Sequence, residues 1–297
     1  MILRKENSSS SSVRVVAPYE LTRTIRIKPK ESGQTILTFF KERFPFVSEA
    51  EWDRRFDNNW IHEQGVPLER RDLTRPNQII NHYAPKVVEP SVSDSITIID
   101  ETDDWLAVFK PAPLPMHQGG RYNKNTLIYI LREKGYDNLR MVHRLDSVTS
   151  GVVLLAKNKK SAIKLRQMFE INKVQKWYHA VVQGEVEQTY NVTAPIRRKR
   201  GFVFECGEGL AGAKYAETTI IPEEILNGVT KVKCFPQTGR THQIRLHLKY
   251  IGHPIIDDPI YGPNGDQSGL KLQNSAISLQ SSGLIIDEMG INLKADL

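Results

Sequence analysis

Nine consecutive residues carry the chain's most concentrated chemistry: His143-Arg144-Leu145-Asp146-Ser147-Val148-Thr149-Ser150-Gly151. One carboxylate is flanked by an arginine and by small hydroxyls, and the apolar run Val152-Val153-Leu154-Leu155-Ala156 follows. That run is too short to cross a membrane and has the length of a buried strand. Asp146 is therefore expected on a loop leading into a central strand, where a carboxylate is either structural or catalytic.

A second polar stretch reads Gln237-Thr238-Gly239-Arg240-Thr241-His242-Gln243-Ile244-Arg245-Leu246-His247-Leu248. Thr241 is predicted to cap a helix whose Ile244, Leu248 and Ile251 share one face. Arg245 falls beside that stripe. A cation facing a core needs a carboxylate, because a buried unpaired charge is costly, and Asp146 is the candidate partner. Between the two stretches, residues 174–184 read as a strand with Lys176, Tyr178 and Ala180 on one face. A tyrosine there belongs to the core unless its ring faces a pocket. Arg197-Arg198-Lys199-Arg200 is the densest basic run, open between a solvated hairpin tip and a phosphate contact.

These residues need a frame. Strands are predicted at 96–100, 105–109, 214–221 and 229–235, and helices at 126–134 and 159–169, with a stiff proline-rich segment at 110–117. Residues 96–297 are thus expected to form one large domain. Ahead of it, a strand at 21–28, a helix at 35–44 ended by Pro45, a second helix opened by the capping box Ser48-Glu49-Ala50-Glu51, and strands at 60–62 and 79–83 make a compact module over 21–83. Arg54, Arg55, Arg70, Arg71 and Arg75 are expected on its surface. Residues 84–95 read as a linker and 1–20 as a disordered tail.

The bulk properties narrow the classes. The chain has 297 residues, ordinary apolar and charged fractions and a formal charge of +7. No window approaches the roughly 20 apolar residues of a membrane helix, and residues 1–12 lack the apolar core of a signal peptide. The two cysteines, Cys206 and Cys234, have no ligand-like spacing, which suits a reducing, cytoplasmic setting. The positive charge suits a polyanionic partner, nucleic acid first.

The stretch His143-Arg144-Leu145-Asp146, with Thr149-Ser150-Gly151, resembles the signature of the RluA-type pseudouridine synthases. Lys110-Pro111 to His117, Lys176-Trp177-Tyr178-His179-Ala180-Val181-Val182-Gln183-Gly184, and Thr238-Gly239-Arg240-Thr241-His242-Gln243-Ile244-Arg245 with Gly252-His253-Pro254-Ile255 and Tyr261-Gly262 resemble the family's other motifs in order and spacing. The 21–83 module resembles, loosely, a degenerate alpha-L RNA-binding motif.

The resemblance implies an α+β fold: a mixed, largely antiparallel central sheet with flanking helices and a catalytic cleft, preceded by the small module. It implies an isomerase acting on uridines of ribosomal or transfer RNA, with RNA as partner, a monomer, and no cofactor, metal or membrane. Asp146 takes the place of the catalytic aspartate. Arg144 corresponds to a residue that helps flip the base, Tyr178 to the aromatic that stacks on uracil, and Arg245 to the basic partner of the aspartate. His143, Thr149, Arg240 and His242 are supporting residues. The chain departs from the family at Asp257-Asp258-Pro259, where Gly-Asp is usual, and in 272–279, so its final strands are expected to be degenerate or partly replaced. The rival class is a non-catalytic RNA-binding or RNA-folding factor on the same scaffold. A glycosidase normally needs two carboxylates flanking the bond, and the sequence places one.

Overall fold

The computed structural model describes residues 12–265 and 275–295. Residues 1–11 of the expected tail and 272–274 of the divergent segment lie outside the described residues. The chain forms two compact units, one of residues 15–90 with 119–124 and one holding the rest. Part of the expected tail is folded: Val13–Arg14 pairs with Val92–Ser93, and Tyr19 opens a strand. The expected linker shortens too, because the last strand of the small unit runs through Val87.

In the small unit, strands Tyr19–Arg26, Ile79–Val87, Ile61–Glu63 and Val66–Pro67 form a four-stranded sheet. Two helices accompany it, Ile36–Arg43 and Glu49–Asp57, capped by the side chains of Thr35 and Ser48. Their apolar stripes put Phe40 and Trp52 into a core with Ile27, Ile61 and Ile80. Arg54, Arg70, Arg71 and Arg75 reach the surface as expected, each paired with an acid, and Arg55 does not. Arg55 is buried: it donates to Glu51, lies 2.7 Å from the His82 ring nitrogen and covers the Trp52 ring. Arg54 pairs with Glu51, Arg70 with Asp53 and Asp57, Arg71 with Glu69 and Arg75 with Glu63. Acidic residues interleaved in the same elements compensate these charges locally.

The large unit is built on a ten-stranded mixed sheet among the described residues. Its elements in chain order begin with β1 (Thr97–Glu101), β2 (Trp105–Lys110), α1 (Leu127–Glu133), β3 (Ser150–Ala156), α2 (Lys159–Glu170) and β4 (Gln175–Gln183). They continue with β5 (Tyr190–Val192), β6 (Ile196–Arg200), β7 (Val203–Cys206), β8 (Thr218–Leu226), β9 (Val229–Pro236), α3 (Gln243–Tyr250), β10 (Leu279–Ile286) and β11 (Ile291–Lys294). The spatial order is β5-β8-β9-β4-β10-β3-β2-β1. Neighbours are antiparallel except β3 and β10, which run parallel. The α+β reading therefore holds, with the basic run Arg197 to Arg200 in the separate β6–β7 hairpin.

The final strands are not degenerate in place. β10 is a central strand between β4 and β3, and β11 pairs with it. Its sequence, Leu279-Gln280-Ser281-Ser282-Gly283-Leu284-Ile285-Ile286, carries three small residues in its middle, so apolar periodicity marks it poorly. Gly283 is required there, because a Cβ on it would stand 1.9 Å from the Trp177 ring. Ser281 faces Tyr178 on one side and Gly151 on the other. Gly151 has φ of +116°, and a Cβ there would stand 2.1 Å from the Ser281 carbonyl oxygen. The glycine that ends the Asp146 stretch thus permits a close backbone contact, after which β3 is buried along its whole length.

Gly151→Ala should destabilise the fold by about 3 kcal/mol or more, combining overpacking with a positive φ. Gly135→Ala, also at positive φ but with open space around it, should cost only about 1 kcal/mol. Urea unfolding of the two variants checks this, and equal losses would remove the close contact as the cause.

Candidate active site

The loop before β3 is tied down at both ends. The Nε2 of His143 accepts a hydrogen bond from the Leu154 amide at 2.9 Å, and its ring stacks on Phe169. Burial pushes the His143 pKa down to about 3 with help from the field of Lys176, so the ring stays a neutral acceptor. The Thr149 amide donates to the Asp146 carbonyl at 3.2 Å, and the Thr149 side chain is buried. Thr149 and His143 therefore shape the loop.

The proline-rich segment meets this loop from the other side. The Leu114 amide donates to the Ser147 carbonyl at 2.8 Å. Lys110, fully buried at the end of β2, donates to the carbonyls of Pro111 at 3.0 Å, Leu114 at 2.9 Å and Ser147 at 3.4 Å. Burial pushes the lysine pKa down to about 7, against the pull of Asp146. A lysine at the end of an apolar strand is the sequence signal for this role.

α3 starts differently from expectation. Its cap is His242, in a left-handed conformation with φ of 56°, and not Thr241. The turn is held by the Gln243 amide group. Its Oε1 accepts from the Thr238 hydroxyl and the Arg240 amide, and its Nε2 donates to the Glu217 carbonyl and the Thr218 hydroxyl. A side chain so engaged at the first helical position replaces a threonine cap. It also directs His242 inward, where Nδ1 lies 2.8 Å from the Tyr261 hydroxyl and Nε2 3.8 Å from Asp146.

Arg245 reaches Asp146, as expected, with Nη1 3.2 Å from Oδ2. Its principal partner, however, is Asp258. Nε and Nη2 donate to the two Asp258 oxygens at 2.6 and 2.8 Å, the two-pronged geometry a guanidinium favours. Asp258 Oδ1 also accepts from the amides of Ile260 and Tyr261. Both side chains of the pair are nearly inaccessible, at 3% and 1% exposure, while Asp146 keeps 28%. Asp258 lies within the segment read as a departure, and the need it meets was legible: one carboxylate does not satisfy a buried guanidinium.

The charges follow. Burial would raise the Asp146 pKa, but His242, Arg245 and Lys110 overcome it and hold the carboxyl below its ordinary value. His242 is itself kept below its usual value by burial, so at neutral pH it is uncharged and the permanent cation beside Asp146 is Arg245. For Arg245, burial acts against the charge, and its bonds to Asp258 with the field of Asp146 reverse that and raise its pKa. Tyr178 projects from β4 into the same cleft. Burial pushes its phenol up to about 12, a Ser281 hydrogen bond opposes and Asp146 reinforces, so the ring is a neutral phenol.

The structure brings every sequence-predicted site residue to one cleft: His143, Arg144, Asp146, Thr149, Tyr178, Arg240, His242 and Arg245. Arg144 is exposed and Arg240 donates to the Tyr215 carbonyl at 2.8 Å. An ionised, accessible carboxylate faces a neutral phenol beneath a basic rim, which suits nucleophilic attack or proton abstraction on a planar, anion-bearing substrate.

Comparison with known proteins agrees with this chemistry. Residues 104–250 match the RNA pseudouridylate synthase family. An uncharacterized RNA pseudouridine synthase of Helicobacter pylori is 37% identical over 71% of this chain and 77% of its own length. A tRNA pseudouridine(31) synthase of Saccharomyces cerevisiae is 32% identical over 85% and 73%. The solved structure of human RNA pseudouridylate synthase domain containing 1 superposes with a TM-score of 0.58 at 26% identity, covering 69% of this chain and 84% of that one. Against other curated relatives in rice, yeast and human, the chain spans 65%, 55% and 48% of their lengths.

Asp146 and Asp258 both titrate below the ordinary carboxylate value. The stability they supply is complete above the unfolded pKa and lost as pH falls through their lower native values. Arg245→Leu removes one of the groups that oppose burial at Asp146, so the Asp146 titration followed by 13C NMR should move upward, and acid unfolding should begin at higher pH. The cost is about 3–5 kcal/mol from the unpaired Asp258. Arg245→Lys, which keeps a charge, should move the titration less. An unmoved Asp146 titration in folded Arg245→Leu would remove the ion pair from this account.

Proposed function

The chain belongs to the RNA pseudouridylate synthase family, and from that premise we propose that it isomerises uridine to pseudouridine within RNA, with transfer RNA as its substrate class. The observation that carries this is the accessible Asp146 carboxylate, kept ionised by Arg245 at 3.2 Å. The reaction breaks the bond from N1 of uracil to C1′ of ribose, turns the base and joins C5 to C1′. The C5 proton is lost and N1 gains one, so atoms and electrons balance within the nucleotide. Asp146 initiates it by attacking C1′ or by taking the proton from C2′ to give a glycal, and a carboxylate serves either way as nucleophile or base.

The other residues follow from their places. Tyr178 offers a neutral ring on which uracil stacks, and its phenol is in position to handle a proton after the base has turned. Arg144, exposed at the rim, fills the space the target base leaves when it is drawn from its stack. Arg245 holds the carboxylate, and Arg240, His242, His143 and Thr149 hold the surrounding turns. The name of the yeast relative supports transfer RNA. Ribosomal RNA is the other outcome of the test.

Asp146→Asn should abolish pseudouridine formation in total RNA, read by chemical mapping with and without the gene, while leaving affinity for tRNA within a few fold. Sites that disappear in tRNA support the proposed substrate, and sites confined to ribosomal RNA replace it. Retained turnover by the variant would overturn the assignment of Asp146, and tight RNA binding with no modification by the parent chain would favour the folding-factor reading.

A further inference from the structure

Lys176 lies two residues before Tyr178 on β4 and lines the same cleft. Its Nζ stands 5.9 Å from the centroid of the Phe169 ring, and the residue is half-buried. Apart from the exposed Arg144 at the rim, the arginines of the cleft are engaged. Arg245 is held by Asp258 and Asp146, Arg166 donates to the Met141 carbonyl at 2.9 and 3.3 Å, and Arg240 to that of Tyr215. Lys176 has no such engagement. Among the described residues no carboxylate pairs with it, and Glu170, which lines the same cleft, is not within ion-pair distance. Burial lowers its pKa and nothing in its surroundings offsets that.

A partly desolvated ammonium without a counterion is costly. It becomes favourable when an anion arrives. We propose that Lys176 binds a backbone phosphate of the substrate RNA beside the nucleotide held over Tyr178, forming a phosphate subsite of the cleft. This rests on the RNA reading given above. Residues two apart on a strand share a face and are separated by roughly 6.6 Å, so a base on Tyr178, its sugar at Asp146 and a neighbouring phosphate at Lys176 follow one line along β4. An ammonium is a compact point charge that takes a phosphate oxygen from many directions. It therefore positions the strand without reading its sequence, which a site that turns a base by half a circle can accommodate.

The test measures equilibrium binding of labelled tRNA to the full chain across a salt series, with Asp146→Asn in every protein so that nothing turns over. Lys176→Met keeps the stem against Phe169 and removes the charge. Losing one phosphate contact to a single strand should flatten the slope of log affinity against log salt by about 0.7, so that a fourfold rise in salt costs the variant about 2.6-fold less affinity than its parent. Lys176→Arg should restore the slope. Lys160→Met, on the exposed face of α2 and outside the cleft, should leave it as in the parent. A purely structural role for Lys176 would lower affinity without changing the slope. Parallel slopes for parent and Lys176→Met, or equal changes for Lys176→Met and Lys160→Met, would overturn the subsite while leaving the RNA reading intact. Absence of salt-dependent binding by the parent itself would overturn the RNA reading.

Discussion

A guanidinium buried between two carboxylates sets the terms for the rest of the site. Arg245 cannot be left unpaired at 3% exposure, and Asp258 cannot be left unpaired at 1%. Their two-pronged bond answers both needs and leaves Nη1 pointing at Asp146. The division of labour matters. If Asp146 were the principal partner, its oxygens would be tied up and its charge spread into the bond. Because Asp258 carries the load, Asp146 receives one hydrogen bond at 3.2 Å and keeps an oxygen for substrate. The conflict between burial and ionisation is resolved by a neighbour that stays inaccessible, and the Asp146 carboxylate is left both charged and reachable.

The cleft also needs the aromatic ring near the carboxylate, and the sheet supplies this by placing β4, β10 and β3 side by side. Ser281 stands between Tyr178 and Gly151, so the strand that carries the aromatic ring and the loop that carries the carboxylate are separated by a single strand. A larger residue at 151 would push them apart. The register shift between Trp177 and Tyr178 lies at the same level of the sheet and is the kind of irregularity that re-aims a side chain. Lys110 and Leu114 then fasten the proline-rich segment to Ser147, which gives the loop a second anchor besides Arg245.

Much of this was legible, for physical reasons that also explain what was not. Asp146 could be placed because a polar loop gives way abruptly to an apolar strand, and Arg245 because the helical period puts it against the core. The signals fail where function depends on small residues or on mixed demands. β10 escapes an apolar pattern because small residues fill its middle, where a Cβ on Gly283 would stand 1.9 Å from the Trp177 ring. Thr241 is the better cap by residue type, yet Gln243 makes four hydrogen bonds at that turn and His242 adopts a left-handed conformation to allow it. Asp258 sits in a segment whose neighbours break the expected pattern, so attention to the pattern hid the chemistry. Arg55 was expected at the surface because charge is usually exposed, and the ring of Trp52 with the His82 nitrogen supplies the exception.

The distribution of compensation says more than the net charge. In the small unit, Arg54, Arg70, Arg71 and Arg75 each find an acid within their own neighbourhood, which leaves little field to attract a polyanion. Exposed pairs of this kind contribute little to stability, so their effect is mainly to neutralise. In the cleft the pattern reverses: Arg144 is exposed and Lys176 sits against Phe169 without a carboxylate. A chain with an excess of positive charge can afford such residues only where an incoming anion completes them. Where cations are left incomplete is therefore a better guide to the path of an RNA strand than where they are numerous. By that criterion, and on the proposed reading, a strand would approach along β4 to the carboxylate that Arg245 holds.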